Sequence, residues 1–457
     1  MPEKSRNQKK MLGQFFTPEP VAEYMAQLMD VSRYSGKEIR CLDAGAGSGR
    51  LSMALLSAIF SSMDTFPAAI GLDLYEADLG LKNTLIENME KLSLTAKMHG
   101  IKFMYHIYFC DYLCSEDTER YDLAIMNPPY KKIGKSEVTG KGFDAILSGQ
   151  PNLYFLFIEK MLRQLRPDGE FAVICPRSWT SGLYFRKFRR SFLNRTRLKD
   201  IFLFVSRNQV FRSEKVLQET MILHGNKHDY SDETYSLHLS VGDSVIGSPN
   251  WHIQIPYQEC IYDRENQFLL LPSNAMELAA IQKFSSVESR VIDHGYQLKT
   301  GPVVEFRYSK YLSDEPLPGY LPMLRAENIR FDTGEILFPA PSCTKAQYIS
   351  RNAPHALFVK NQNMLLFRRF ASKEENRRIQ VVAYHCDMFP DLDFLSLENH
   401  VSYLVGQNGH ELTRSELYSL KEMFCSDLYE DFYRALDGST QLNNTEFNLL
   451  PFSESAS

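Results

Sequence analysis

The most specific chemistry in this chain is carried by four consecutive residues, Asn127-Pro128-Pro129-Tyr130. Two successive prolines fix the backbone, and the residue before each is driven out of helical geometry. The Asn127 amide oxygen and the Pro128 carbonyl are thereby held as a rigid pair of hydrogen-bond acceptors. Two acceptors converging on one planar amine pull its hydrogens, raise electron density on its nitrogen and aim its lone pair at an electrophile. Tyr130 can stack on a base that carries such an amine. The chemistry is transfer of a group to nitrogen, which is itself the nucleophile, so no covalent enzyme intermediate is required.

Residues of this kind need a scaffold that ends several strands at one place. The apolar run Leu123 to Met126, directly before Asn127, reads as a strand. Ile39 to Leu42 reads as another and runs into Asp43-Ala44-Gly45-Ala46-Gly47-Ser48-Gly49, followed by a helix over Arg50 to Phe60. Alternate glycines let the backbone turn tightly, approach a ligand closely and present a helix N-terminus to it. The spacing lacks the third glycine of a dinucleotide fingerprint. A third strand, Ala68 to Leu72, ends at Asp73-Leu74, where a carboxylate can accept from both hydroxyls of a ribose. After Lys102 to Phe109, Asp111-Tyr112 offers a carboxylate suited to an adenine amino group. Glu76 to Met89, Leu153 to Leu165 and Gly182 to Leu193 read as helices; Glu170 to Ile174, Ile201 to Val205 and Thr220 to Leu223 read as strands. Strands alternating with helices specify an α/β domain over a mostly parallel sheet, with ligands at the carboxyl ends of the strands.

The 457 residues allow two or three domains. From Asn226 to Asn250 the chain becomes polar and aperiodic, so residues 1–230 are expected to be one domain, 231–250 a linker and 251–457 a second domain of less regular architecture. The 44% hydrophobic content excludes a fibrous or disordered chain. No apolar run approaches the roughly 20 residues of a membrane helix, and eight cysteines without a CxxC pair read as reduced thiols in a cytosol. The net charge of −5 argues against general polyanion binding. Between Arg177 and Lys215, however, eleven Lys or Arg, Arg186, Arg189 and Arg190 among them, face only Asp200 and Glu214. Such a segment suggests a one-sided electrostatic footprint. Lys373, Arg377 and Arg378 read either as a solvated helix with paired charges or as phosphate contacts.

Together these motifs resemble the amino-group DNA methyltransferases acting on adenine, in the arrangement that places the cofactor motif before NPPY and target recognition at the C-terminus. The resemblance implies a Rossmann-like S-adenosylmethionine-dependent methyltransferase fold with a mixed seven-stranded sheet, followed by an α+β target-recognition domain. It implies that Phe16, Thr17 and Pro18, within the stretch Gly13 to Pro18, help enclose S-adenosylmethionine. Asp43, Ala44, Gly45 and Gly47 then match the cofactor loop, Asp73 with Leu74 the ribose acid, and Asp111 with Tyr112 the adenine-side acid. Phe211 would pack on the extruded base opposite Tyr130. In the second half, Thr300 to Val303, Ser372 to Arg378, Glu398 to His400 and Gly438 to Leu442 look like stretches of PstI-type modification methylases. The implied partners are double-stranded DNA and a separately encoded restriction endonuclease, in the cytoplasm of a bacterium or archaeon.

Enzymes that methylate ribosomal RNA or a release-factor glutamine share a looser NPPY signature, but rarely need some 200 further residues for recognition. A scaffold subunit that has lost the chemistry would not be expected to keep the glycine loop, Asp73, Asp111 and Asn127 to Tyr130. None of the cysteines stands in a Pro-Cys context suited to attack on a cytosine ring. His385, His400 and His410 are spaced unlike any common zinc site, so no metal is expected.

Overall fold

The computed structural model describes residues 16–61, 66–204, 219–228, 234–246, 248–341, 343–371, 375–439 and 441–453. Among them the chain forms two compact units, divided after Ser273. The first is built on a nine-stranded sheet: β1 (Glu38–Ala44), β2 (Ala69–Tyr75), β3 (Lys102–Tyr108), β4 (Tyr121–Met126), β5 (Leu165–Pro176), β6 (Thr196–Phe204), β7 (Thr220–Lys227), β8 (Ser236–Gly242) and β9 (Trp251–Pro256). Their order across the sheet is β3-β2-β1-β4-β5-β7-β6-β8-β9. β1 to β5 run parallel, whereas β7 is antiparallel to both β5 and β6. The helices that matter to the site are α1 (Glu19–Gln27), α2 (Arg50–Ser61), α3 (Lys82–Met98), α4 (Leu153–Gln164) and α5 (Arg186–Leu193).

One core joins Met25 and Val21 of α1, Leu55 and Ile59 of α2, Leu85 and Met89 of α3, and alternate residues of the central strands such as Ile39, Cys41, Leu123 and Ile125. The intervening Leu42, Ala124, Phe171 and Val173 are also buried. Burial on both faces explains why these strands read as uninterrupted apolar runs.

Three expectations are corrected. The sheet has nine strands, because β8 and β9 extend the predicted seven beyond β6. The segment 231–250 is therefore not a linker: Leu237, Leu239 and Val241 of β8 are buried, and β8 pairs in parallel with β6 and antiparallel with β9. The chain then folds back on the same unit through residues 257–271, where Leu269 donates to the Thr180 carbonyl. The helix predicted from Glu76 starts instead at Lys82, since Asp78 caps a short turn by accepting from Gly80.

The second unit holds a four-stranded sheet (Tyr296–Thr300, Val401–Gly406, Met364–Arg368, Val381–Tyr384) and a five-stranded one of shorter strands. Its helices include Ala275–Phe284 and Asp427–Leu436, which pack through Phe284 against Tyr429 and Phe432.

At the amino end of β5 the sheet buries an ionic cluster. Glu170 is fully enclosed and accepts from the Asp30 amide at 2.9 Å and from Lys199, while His224 lies 2.7 Å from Asp200 and 3.6 Å from Glu170. Burial opposes ionisation of Glu170, but hydrogen bonds from His224 and Lys199 outweigh it and hold the carboxyl at about 2. Burial likewise opposes protonation of His224, and its two acids reverse that, raising it above its ordinary 6.5. The His224 contribution to stability is therefore present below pH 6.5 and lost as pH rises through its folded value; that of Glu170 is present above 4.5 and lost as pH falls toward 2. Urea unfolding is expected to give higher stability at pH 6 than at pH 8.5, and His224→Gln should flatten that difference. A slope that persists in the variant would place the titrating group elsewhere.

The sheet extension gives a second prediction. Ending the chain at residue 230 removes the buried Leu237, Leu239, Val241 and Ile255, together worth more than about 5 kcal/mol at roughly 1.5–3 kcal/mol each. That approaches the whole stability of an ordinary domain. A chain ending at residue 273 should melt cooperatively, and one ending at 230 should aggregate or melt without a sharp transition. Equal melting curves by circular dichroism would contradict this.

Candidate functional site

β1 ends in the glycine loop, and Gly45, Gly47 and Gly49 all take left-handed backbone conformations, with φ of +79°, +59° and +81°. At Gly49 space is short as well, since a Cβ would fall 2.8 Å from Leu85 and Met89 of α3, whereas one at Gly47 would make ordinary contact with the Phe16 ring at 3.5 Å. Asp43 lies beneath the loop, wholly buried, and accepts from the amide and hydroxyl of Ser52 in the first turn of α2. Burial pushes its carboxyl up to about 7, against the opposing bonds from Ser52. Asp43 and Ala44 thus shape the loop from below without lining the cavity above it.

That cavity has a volume of about 420 Å³. It is bounded by Phe16 and Thr17, by Gly45, Gly47 and Arg50, by Glu76 and Asp78, by Asp111 and Tyr112, and by Asn127 and Pro129. Residues from four separate sequence motifs are thereby gathered at the carboxyl ends of β1, β2, β3 and β4. Pro18 stands just behind, as the N-cap of α1. The Asn127 side-chain nitrogen donates to the Thr17 hydroxyl at 3.0 Å, which sets the amide's orientation and leaves its oxygen as the opposite end. Thr17 is held in turn, its carbonyl accepting from Arg50 at 2.9 Å. Tyr130 packs beside the cavity, with its hydroxyl donating to the Ile174 carbonyl at 3.2 Å and its ring edge-on to Tyr154. Burial drives that phenol well above its usual range, so it stays neutral. Asp111 accepts from the Leu113 amide, which directs the turn bearing Tyr112.

Asp73 does not line the cavity. Its carboxylate accepts from the Tyr121 hydroxyl at 2.7 Å and lies 3.6 Å from His106. Leu74 is core. The acid that does reach the cavity from this strand is Glu76, whose oxygens accept from the amides of Gly47 at 2.8 Å and Asp78 at 2.7 Å. Burial raises its carboxyl above the usual range. Sequence reading placed the strand end at Leu72. Pairing with β3 carries β2 on to Tyr75 and so makes Glu76 the terminal acid.

The expected DNA contacts separate by burial. Arg189 is fully buried and donates to the carbonyls of Trp179, Ser181, Gly182 and Asn266. Arg378 is also buried, paired with Asp437 and donating to the Ser439 carbonyl. Arg377 is tied to Asp427 at 2.8 Å and to the carbonyls of Cys425 and Ser426. These three serve the fold. Arg190 is exposed, and Arg186 is partly exposed, 3.3 Å from Glu265. Phe211, Lys373 and the stretch Gly13 to Phe15 lie outside the described residues. Among the described residues no three metal-ligating side chains cluster, and no helix is long and apolar enough to cross a membrane.

The chain is 28% identical over 451 residues to the Type II methyltransferase M.PstI of Providencia stuartii, covering 96% of this chain and 87% of that protein. It is 28% identical over 455 residues to M.BsuBI of Bacillus subtilis, covering 97% and 88%. Among solved structures, a nuclease-deletion mutant of the Type ISP restriction-modification enzyme LlaGI, in complex with a DNA substrate mimic, superposes with a TM-score of 0.55. That match covers 94% of this chain and 45% of the other at 12% identity, and so speaks to fold alone. The Eco57I restriction-modification methylase family matches residues 51–211, from α2 through NPPY and α5. Residues 51–211 match the Eco57I restriction-modification methylase family, and the chain is similar over nearly its whole length to Type II methyltransferases.

Proposed function

We propose that the protein is a site-specific DNA adenine methyltransferase, which transfers a methyl group from S-adenosylmethionine to the N6 amine of an adenine turned out of the duplex. In this reading it protects DNA from a separately encoded restriction endonuclease. The observation that carries it is Asn127, fixed by Thr17 at the rim of a cavity whose other walls are a glycine loop and acids from the adjoining strand ends.

The lining of the cavity supports S-adenosylmethionine as its ligand through its donor set. In this reading Gly45 and Gly47 admit a close approach, Glu76 accepts from vicinal ribose hydroxyls, Asp111 accepts from the adenine amine, and Phe16 covers the loop, all of them lining the cavity. When bound, that group supplies an electrophilic methyl. The chain's own part is positioning. Adenine within a duplex cannot reach the cavity and must be extruded. The Asn127 oxygen and Pro128 carbonyl accept from its amine and direct the nitrogen lone pair inward. Tyr130 offers a face to the base, and Phe211 would offer the other. Sequence reading is assigned to the second unit, and the partly exposed Arg186 and the exposed Arg190 are retained as phosphate contacts.

Labelled methyl from S-adenosylmethionine should appear on unmethylated plasmid DNA, and digestion to nucleosides should return it as 6-methyladenine. Asn127→Ala should lower kcat by about 10²- to 10³-fold, the scale of losing one preorganised transition-state contact, while cofactor affinity changes little. Label on RNA or protein instead of DNA would overturn the reading. Glu76→Gln should weaken S-adenosylmethionine binding about 10-fold or more, as loss of a charge-assisted hydrogen bond does, with Asp73→Asn closer to the parent by calorimetry. The reverse ranking would restore Asp73 as the ribose acid.

A further inference from the structure

Between β5 and α5 the chain turns at Gly182, whose φ is +74°, and sends two large apolar side chains into solvent. Leu183 is 47% and Tyr184 65% exposed. Turn tips are ordinarily polar, so an adjacent apolar pair there calls for a partner.

The turn is braced from within. One nitrogen of the buried Arg189 donates to the carbonyls of Trp179 at 3.0 Å, Ser181 at 2.7 Å and Gly182 at 3.2 Å, while the guanidinium lies over the Phe268 ring. A buried cation is costly unless fully engaged, and here it fixes the backbone that presents the two side chains. Tyr184 lies across Gly149, where a Cβ would fall 2.0 Å from its ring. The next residue, Phe185, is 6.0 Å from the Tyr154 ring, which stands 6.3 Å from Tyr130. Phe185, the residue that follows the tip, is thus two ring contacts from the NPPY tyrosine. Lys187 and Arg190 follow it exposed on α5, and Lys131 and Lys132 are exposed on the chain just after Tyr130.

An apolar tip followed by exposed cations matches stacked bases between phosphates. We propose that Leu183 and Tyr184 are a wedge that enters duplex DNA beside the target adenine and replaces the stacking lost when that base is extruded. Arg189 is its positioning residue. This rests on the proposed function: extrusion leaves a gap in the stack, and the apolar pair fills it, lowering the free energy of the flipped state.

The test starts from the methylated site, mapped by sequencing DNA modified by the intact protein. Methyl transfer is then measured on a matched duplex and on one lacking the thymine opposite the target adenine, whose extrusion is already eased. Leu183→Ala with Tyr184→Ala should lower kcat/KM on the matched duplex by about 10- to 100-fold, the worth of one or two base–aromatic contacts. The same variant should come within about 3-fold of the parent on the weakened duplex, and Tyr184→Phe should keep activity on both. An unchanged rate on the matched duplex overturns the wedge, as does an equal loss on both duplexes. If the intact protein methylates no DNA, the proposed function fails and the wedge with it; a working parent with an indifferent double variant removes the wedge alone.

Discussion

The candidate site depends on the parallel pairing of β1 with β4. Asp43 is in register with Ile125, so the two strands end side by side and their following loops leave the sheet together. The glycine loop then passes so close to NPPY that a Cβ on Gly45 would lie 3.6 Å from the Asn127 carbonyl. The approach rests on Gly45 taking φ of +79°, a left-handed conformation that glycine adopts without strain. Around this contact the remaining parts interlock. Asp43 ties the loop to the first turn of α2, Arg50 of that turn holds Thr17, and Thr17 holds the Asn127 amide. Three sequence motifs far apart in the chain are thereby coupled, so that a shift in one displaces the acceptor that chemistry requires.

Much of the catalytic scaffold was legible because its strands are buried on both faces and read as unbroken apolar runs. NPPY and the glycine loop were legible because their backbone demands are met by few residue types. Asp73 falls outside the cavity lining for a physical reason. The apolar run stops at Leu72, but a strand continues as long as its neighbour offers hydrogen bonds, and β3 offers them to Tyr75. The side chain that reaches the cavity is therefore three residues further on, at Glu76. β8 was hidden differently. At the far side of β6 it needs only one buried face, so Leu237, Leu239 and Val241 alternate with Ser236, His238 and Ser240, a pattern that was visible but lay in a stretch judged polar overall. The second unit, with many strands of two to five residues, offers too little periodicity to be read at all.

Charge counting carried a related error. A run of arginines was taken as a footprint for phosphate, yet Arg177 and Arg189 within it are buried, as is Arg378 in the later basic stretch. Guanidinium has five donors in a fixed plane and can satisfy several carbonyls at once, which suits it to bracing irregular backbone as well as to binding anions. Sequence counts both uses alike. What separates them is the face on which the residue falls, and α5 makes the point within eight residues. Phe188, Arg189 and Phe192 turn inward, where Arg189 gathers the carbonyls of the Gly182 turn. Lys187 and Arg190 turn to solvent. The same short helix thus fixes the shape of the turn from one side and gives its surroundings their charge from the other, so that the apolar tip and the cations beside it are set by one element and move together.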